Sequence, residues 1–325
     1  MNKQVGYGIA LILALAAPLV LYPVFLMKLL CFALFACAFN LLIGYTGLLS
    51  FGHAAFFGWA AYLTGYTLAS LHWPTELGLL AGTVAGAAIG LVMGALAIRR
   101  QGIYFTMITL ALAQMLYFVA LQAPLTGGED GLQGVPRGTL FGLIDLGHDL
   151  VLYYVVLAIC VAGFALIVRI VHSPFGQVLK AIKENEPRAI SLGYHVDRYK
   201  LLAFVLSAAL SGLAGSTKTV VLGFATLTDV HWSMSGLVVL MTLVGGMGTL
   251  AGPIVGAIVI VALENRLGNV GDFLANTTNI EWFKQIGQSV TMVIGAIFIV
   301  CVLAFRRGIV GEILAKWGGK GKAAG

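Results

Sequence analysis

One polar stretch interrupts an otherwise apolar chain: HSPFGQVLKAIKENEPRAISLG, residues 172–193, which is followed by Asp197, Arg198 and Lys200. Long apolar segments lie on both sides of it, and 60% of the 325 residues are hydrophobic whereas 10% are charged. Soluble domains carry about 25% charged residues, so this chain lacks the polar surface that a water-soluble fold requires. The contrast predicts an all-α fold, a polytopic transmembrane helical bundle from which residues 172–200 emerge into water.

Apolar segments of membrane-spanning length recur along the whole chain. A spanning helix needs about 20 apolar residues, with about 17 as the lower limit. The candidate spans are residues 5–22, 26–43, 53–70, 77–98, 103–122, 150–171, 201–222, 233–246, 250–265 and 285–304. We expect about ten membrane segments in a single domain over residues 1–325, with 233–246 and 250–265 either full spans or re-entrant half-spans.

The first segment allows two interpretations. It begins after Lys3 and contains Ala14-Leu15-Ala16, a pattern that also occurs in cleavable signal peptides. The apolar run continues to Leu21, which favours a retained helix.

The positions of Lys and Arg predict the orientation, because these residues concentrate in short cytoplasmic loops. With the N-terminus inside and the spans alternating, 14 of the 19 basic residues lie inside. The five outside are Lys28, Arg137, Lys218, Arg266 and Lys284. We therefore predict N-in/C-in, which makes 172–200 a cytoplasmic loop and the Gly- and Pro-rich segment 123–149 a periplasmic loop.

Two glycine-rich stretches break the apolar pattern at membrane depth. The first is Gly44–Gly58, and the second is Gly245–Pro253. Non-helical backbone persists at this depth only where protein buries it or where it lines a wet cavity, and paired breaks in two halves indicate a central pathway. The predicted pathway and broken-helix residues are Gly47, Ser50, Gly52, His53, Gly245, Gly246, Gly248 and Thr249.

Two further features predict packing rather than a pathway role. His53 is expected to be a packed, hydrogen-bonded histidine rather than a proton carrier. Gly78, Gly82, Gly86, Gly90 and Gly94 recur every four residues in span 77–98 and predict close helix packing.

Several functional classes find no support in the residues. Gly246–Ala251 fits a G-x-G-x-x-A pattern, but it lies between membrane spans without a βαβ unit, and the chain has no Walker A motif. The four cysteines lack metal-ligand spacing, and the net charge of +6 is not arranged as a basic face with aromatics. Ionisable or amide candidates within spans are few: Glu264, Asn40 and Gln114. We expect no cofactor, no nucleic acid and no catalytic activity of the chain itself, with energy supplied by another subunit.

Residues 173–193 predict two short amphipathic helices. Ser173 and Asn185 are N-cap residues followed by Pro174 or by Glu186-Pro187, and Gly193 ends the second helix. Val178, Leu179 and Ile182 share one helical face, and Ala189, Ile190 and Leu192 also lie in register on helical faces, which favours a protein-docking role over an ordinary charged loop. The expected docking residues are Phe175, Gly176, Leu179, Lys180, Ile182, Lys183, Glu184, Asn185, Glu186, Pro187, Arg188 and Gly193.

Four stretches together resemble the permease subunit, of the M type, of bacterial branched-chain amino acid ABC importers. They are Gly44–Gly58, Leu125–Pro136, Ser173–Gly193 and His231–Gly256, and the resemblance covers nearly the whole chain. Glu186-Pro187-Arg188-Ala189 with Gly193 is a loose form of the E-A-A…G signature of other importers.

The resemblance implies a multi-pass protein of the bacterial inner membrane that moves leucine, isoleucine and valine by alternating access within the lipid bilayer. Its implied partners are a second homologous permease subunit forming a heterodimer, two ATP-binding cassette ATPases docked at 173–193, and a periplasmic substrate-binding protein. Permeases for urea, short amides or other hydrophobic amino acids remain alternatives. An ion-coupled secondary carrier or channel, or a membrane-embedded enzyme, would belong to other classes.

Overall fold

The computed structural model of the protein describes residues 3–19, 21–142, 144–278, 295–296, 299 and 308–312. Its helices are α1 (Lys3–Ala16), α2 (Pro23–Thr46), α3 (His53–Ala69), α4 (Thr75–Ala97), α5 (Ile103–Gln122), α6 (Asp149–His172), α7 (Pro174–Glu184), α8 (Glu186–Ser191), α9 (Val196–Leu222), α10 (Trp232–Gly245) and α11 (Gly252–Thr278). Loop 123–149 adds the antiparallel strands β1 (Thr139–Leu140) and β2 (Ile144–Asp145). The described bundle is therefore helical as predicted, apart from this short ribbon.

Five helices in the described part of the chain are long and apolar enough to cross a membrane: α2, α4, α5, α6 and α9. The shorter α1, α3 and α10 have 14, 17 and 14 residues. Helix α11 extends beyond the predicted end at residue 265. The predicted span 285–304 lies outside the described residues, except for 295–296 and 299. The expectation of ten segments is thus confirmed for five, and the N-in/C-in orientation stays a prediction.

Helices α2 and α9 form the centre of the bundle. Burial covers 83% of the most apolar segment of α2 and 67% of that of α9, against 28% for α4 and 22% for α5. Helix α2 is apolar on every side, as expected of a helix surrounded by protein. The outward faces of α4 and α5 expose large apolar side chains such as Leu80, Val84 and Met107, which suits lipid or a second membrane subunit.

The glycine series of α4 packs against α9, as predicted. A Cβ atom on Gly86 would lie 3.0 Å from the Cα of Gly212, and one on Gly82 would overlap the hydroxyls of Ser216 and Thr64. The absence of side chains at these positions lets the two helix backbones approach closely. Helix α9 is thereby held against α3 and α4, and this arrangement positions the groups described next.

Candidate functional site

The first helix break, residues 47–52, joins α2 to α3 inside the protein. Gly47 ends α2 in the left-handed conformation (φ 77°), which a residue with a side chain adopts only with strain. Hydroxyl groups of neighbouring helices satisfy the freed backbone. Thr106 donates to the Leu49 carbonyl (2.9 Å), Ser235 donates to the Phe51 carbonyl (2.7 Å), and the Phe51 amide donates to Thr109 (3.2 Å). The buried, non-helical backbone expected here is present.

The second helix break, residues 246–251, joins α10 to α11. Gly245 lies at the end of α10, and Gly246 follows as its cap. Gly248 has φ 79°, again a conformation that favours glycine. The Thr249 hydroxyl closes the turn by donating to the Gly246 carbonyl (2.7 Å) and accepting from the Gly252 amide (3.0 Å). The sequence-predicted break therefore occurs at the residues expected.

The last turns of α2, which lead into the first break, contact the second break, and this contact is called here the junction of the breaks. The Asn40 side chain of α2 donates to the Thr249 carbonyl (2.8 Å) and accepts from the Gly248 amide (2.9 Å). A Cβ atom on Gly44 would lie 3.0 Å from the Cα of Gly248, so the backbones touch where both residues lack side chains. Asn40 is only 2% exposed. It was recognised in the sequence as an amide within a span, but its contact with the second break was missed.

The polar stretch that follows α6 folds into α7 and α8, as predicted. The Ser173 hydroxyl accepts from the Gly176 amide (3.3 Å) and the Asn185 side chain accepts from the Arg188 amide (3.1 Å), so both predicted N-caps form. Gly193 follows α8 with φ 86°. Pro lies in the first turn of each helix, where it has no hydrogen bond to lose.

Several residues expected to dock a partner instead hold α7 and α8 to this chain. Gly176, Leu179 and Ile182 are buried. Phe175 stacks on Tyr199, and Lys180 lies 5.8 Å from the ring centre of Tyr45.

Glu186 likewise points into its own chain. It accepts from Lys200 (2.7 Å) and from Gln101 (2.9 Å). Outward-facing residues of α7, α8 and the turn that follows include Glu184, Pro187, Arg188, Ile190 and Leu192. The apolar side chains of Ile190 and Leu192 are 57% and 68% exposed.

One hydrogen bond connects α7 directly to the junction of the breaks. The Lys183 ammonium donates to the Gly44 carbonyl (2.7 Å), at the residue whose backbone touches Gly248. The contact links residues 139 positions apart in the chain. The hydrogen bond therefore joins α7 to the end of α2, which contacts the second break through Gly44 and Asn40.

His53 begins α3 within the bundle and is fully buried. Its Nε2 lies 2.9 Å from the Ser207 hydroxyl, and its ring packs edge-on against Phe39, Phe56 and Phe204. The predicted packed, hydrogen-bonded histidine is thus present. Ser50 is also fully buried, where its hydroxyl accepts from the Gly52 amide (3.1 Å).

A buried ion pair joins α9 to the segment after it. The Lys218 ammonium contacts the Asp229 carboxylate, and the two residues are 5% and 1% exposed. The sequence placed Lys218 at the outer end of its span and predicted neither its burial nor its partner. The available indication was that Lys218 precedes the apolar residues Val220–Leu222, still within the helix.

A bundle of apolar helices interrupted by two Gly-rich helix breaks is typical of membrane transport proteins. A family model described as "Branched-chain amino acid transport system / permease component" matches residues 24–303, and the chain belongs to this family.

Three relatives illustrate the range of similarity. The high-affinity branched-chain amino acid transport system permease protein LivM of Escherichia coli is 29% identical over 72% of this chain and 60% of that protein. The autoinducer 2 import system permease protein LsrC of Klebsiella pneumoniae is 29% identical over 57% of this chain and 53% of that protein. The ribose import permease protein RbsC of Bacillus subtilis is 31% identical over 49% of this chain and 51% of that protein. This chain therefore spans about 60% of the length of LivM, and no solved structure matches it.

Proposed function

We propose that this chain is the membrane-spanning permease subunit of an ABC importer for branched-chain amino acids. The observation that carries the proposal is the connection from the surface helix α7, through Lys183, to Gly44 at the end of α2, which contacts the second break. Family membership and the similarity to LivM support leucine, isoleucine and valine as the substrates. The matches to permeases named for ribose and autoinducer 2 are less extensive.

In the proposed mechanism, ATP-binding subunits dock on the outward surface of α7 and α8. Closure of the ATPase dimer moves α7, and Lys183 transmits the movement to the Gly44 carbonyl. The junction held by Asn40 then opens or closes the pathway at the two breaks. The step from Lys183 to Gly44 uses a hydrogen bond, and the step from α2 to the second break uses the two hydrogen bonds of Asn40. Contacts of this kind between rigid elements are a physical condition for transmitting a displacement.

The remaining partners follow from the same proposal. A second homologous permease subunit covers one apolar face of the bundle, and lipid covers the others. A periplasmic substrate-binding protein delivers the amino acid at loop 123–149. This arrangement requires the N-in/C-in orientation and a bacterial inner membrane, and the alternative cargo within the same mechanism is urea or a short amide.

Transport in proteoliposomes tests the proposed function. The chain is co-expressed with its partner subunits, and ATP is supplied on the side of α7 and α8 while the loaded binding protein is supplied on the other side. We expect ATP-dependent uptake of labelled leucine, isoleucine and valine, but not of urea. Uptake that follows an ion gradient without any ATPase would contradict the importer mechanism, and uptake of urea alone would contradict the substrate.

A substitution in the exposed surface tests the docking site. The double variant Ile190→Asp/Leu192→Asp places charge at two apolar side chains that are 57% and 68% exposed. Loss of central apolar contacts in an interface weakens binding by about 2 kcal/mol or more, so co-purification of the ATPase should fall at least about tenfold.

The matched control for this test is Leu71→Asp. Leu71 is another exposed leucine (47%), but it lies in the turn between α3 and α4, away from α7 and α8. The control should retain the ATPase. Equal retention by both variants would show that this surface does not dock the motor.

A further inference from the structure

The buried pair Lys218–Asp229 is a charged site that the coupling mechanism does not use. Charged groups within a membrane bundle are rare because their transfer from water is unfavourable, and they commonly mark substrate or ion pathways. A buried pair is weak evidence for stability, since apolar residues of similar size often stabilise a fold as well. The pair therefore calls for a role beyond holding α9 to the next segment.

The surroundings of the pair combine apolar walls with an unsatisfied polar group. The rings of Phe57 and Phe224 each lie 5.8 Å from the Lys218 ammonium. Tyr62 interacts electrostatically with Asp229, and its buried hydroxyl has no hydrogen-bond partner among the described residues. The site thus offers a cation, an anion, a hydroxyl and aromatic surface. This is the chemical complement of an α-amino acid zwitterion with an apolar side chain.

Asp229 belongs to a segment that loop 123–149 holds in place. Leu132 and Ala225 exchange two backbone hydrogen bonds (3.0 and 2.9 Å), and the Val135 amide donates to the Gly223 carbonyl (2.8 Å). Asp229 itself caps this segment by accepting from the Thr226 amide (3.2 Å). A displacement of the loop therefore acts on the segment that carries Asp229, while Lys218 stays on helix α9.

The segment that carries Asp229, residues 223–230, also packs directly against α3. A Cβ atom on Gly58 would lie 2.7 Å from the Val230 nitrogen and 2.8 Å from the carbonyl carbon of Asp229. Gly58 therefore allows the segment to seat deeply enough for Asp229 to reach Lys218. In this structure the Lys218 ammonium and the Asp229 carboxylate pair with each other, which corresponds to a site that is closed to substrate.

We propose that Lys218 and Asp229 form the acceptance site for the zwitterionic substrate, Lys218 binding its carboxylate and Asp229 its ammonium group. When residues 223–230 separate from α9, the carboxylate of the amino acid takes the place of Asp229 beside Lys218, and its ammonium group takes the place of Lys218 beside Asp229. No buried charge is then left unpaired. Phe57 and Phe224 contact its apolar side chain. This inference rests on the proposed function and adds to it a site on the permease itself.

The double variant Lys218→Met/Asp229→Asn tests the site in the complete transporter. It removes both charges together, so neither is left unpaired, and the Asn side chain can still accept from the Thr226 amide. Removal of a charge-assisted hydrogen bond to the substrate should lower ATP-dependent leucine uptake at least about tenfold. Assembly with the ATPase, and stimulation of ATP hydrolysis by the loaded binding protein, should be retained.

Each outcome of this experiment either supports or overturns the proposed substrate site. Uptake within about threefold of the unsubstituted transporter would overturn the site and leave the pair as a structural contact. If the double variant fails to assemble, Lys218→Arg/Asp229→Glu keeps a charged pair but displaces both charges. Reduced uptake by that variant at low substrate supports the site, and unchanged uptake overturns it. Uptake of urea alone by the unsubstituted transporter would contradict both the proposed function and the zwitterion site.

Discussion

Replacement of Asn40 by leucine tests whether the contact between α2 and the second helix break depends on one amide. Leucine has a similar volume and suits the apolar surroundings of α2, so the variant mainly removes the hydrogen bonds. The Gly248 amide (2.9 Å) and the Thr249 carbonyl (2.8 Å) would both lose their partner. The substitution therefore isolates the polar part of the contact.

The expected magnitude follows from the two groups left behind. Gly248 and Thr249 are only partly buried, so water can replace part of what the amide supplied. Each group that loses its partner then destabilises by about 1 kcal/mol, the lower end of the usual range, which gives about 2 kcal/mol for the two. Hydrogen bonds between membrane helices average only about 0.6 kcal/mol, because the freed groups usually find other partners. The turn at Gly248 restricts such rearrangement, since its backbone already touches Gly44, and we therefore expect about 2 kcal/mol.

The free energy of unfolding in detergent, from reversible denaturation monitored by circular dichroism, measures this effect. Gln114→Leu on α5 is the matched control, because it removes an amide from a partly exposed position of a span. The control should change stability by less than about 0.5 kcal/mol, as is usual for substitutions away from the core. A loss below about 1 kcal/mol in Asn40→Leu would refute the idea that Asn40 holds the junction.

Two further substitutions address coupling and packing. Lys183→Met removes the hydrogen bond to the Gly44 carbonyl (2.7 Å) but keeps the apolar stem of the side chain. Leucine uptake per ATP hydrolysed should therefore fall about tenfold, while association with the ATPase persists. An unchanged ratio of uptake to ATP hydrolysis would contradict transmission through Lys183. Gly86→Ala places a Cβ atom 3.0 Å from the Cα of Gly212, so it should destabilise the bundle by about 1–3 kcal/mol in the same unfolding assay. Ala87→Gly, on the same helix but half-exposed, is its control and should cost about 1 kcal/mol or less.

Local sequence determined the position and type of most elements. The apolar runs predicted the five long spans because a helix crossing a bilayer requires a minimum apolar length. Ser173 and Asn185 predicted the starts of α7 and α8, since an N-cap is a contact within one turn of the chain. Both helix breaks were predicted for the same reason, because Gly47 and Gly248 adopt conformations that other residues avoid.

Tertiary structure alone decided which of these residues meet. Asn40 and Gly248 are 208 positions apart, and Lys183 and Gly44 are 139 positions apart. Neither hydrophobic periodicity nor capping patterns encode such pairs, because they depend on how whole helices pack. The same reason explains why the sequence did not predict the burial of Lys218, since its partner Asp229 lies beyond the end of its helix and returns to it only in the folded bundle. The polar stretch 172–193 was correctly predicted as two helices, and only packing showed that more than half of its expected docking residues, including Lys183 and Glu186, contact their own chain.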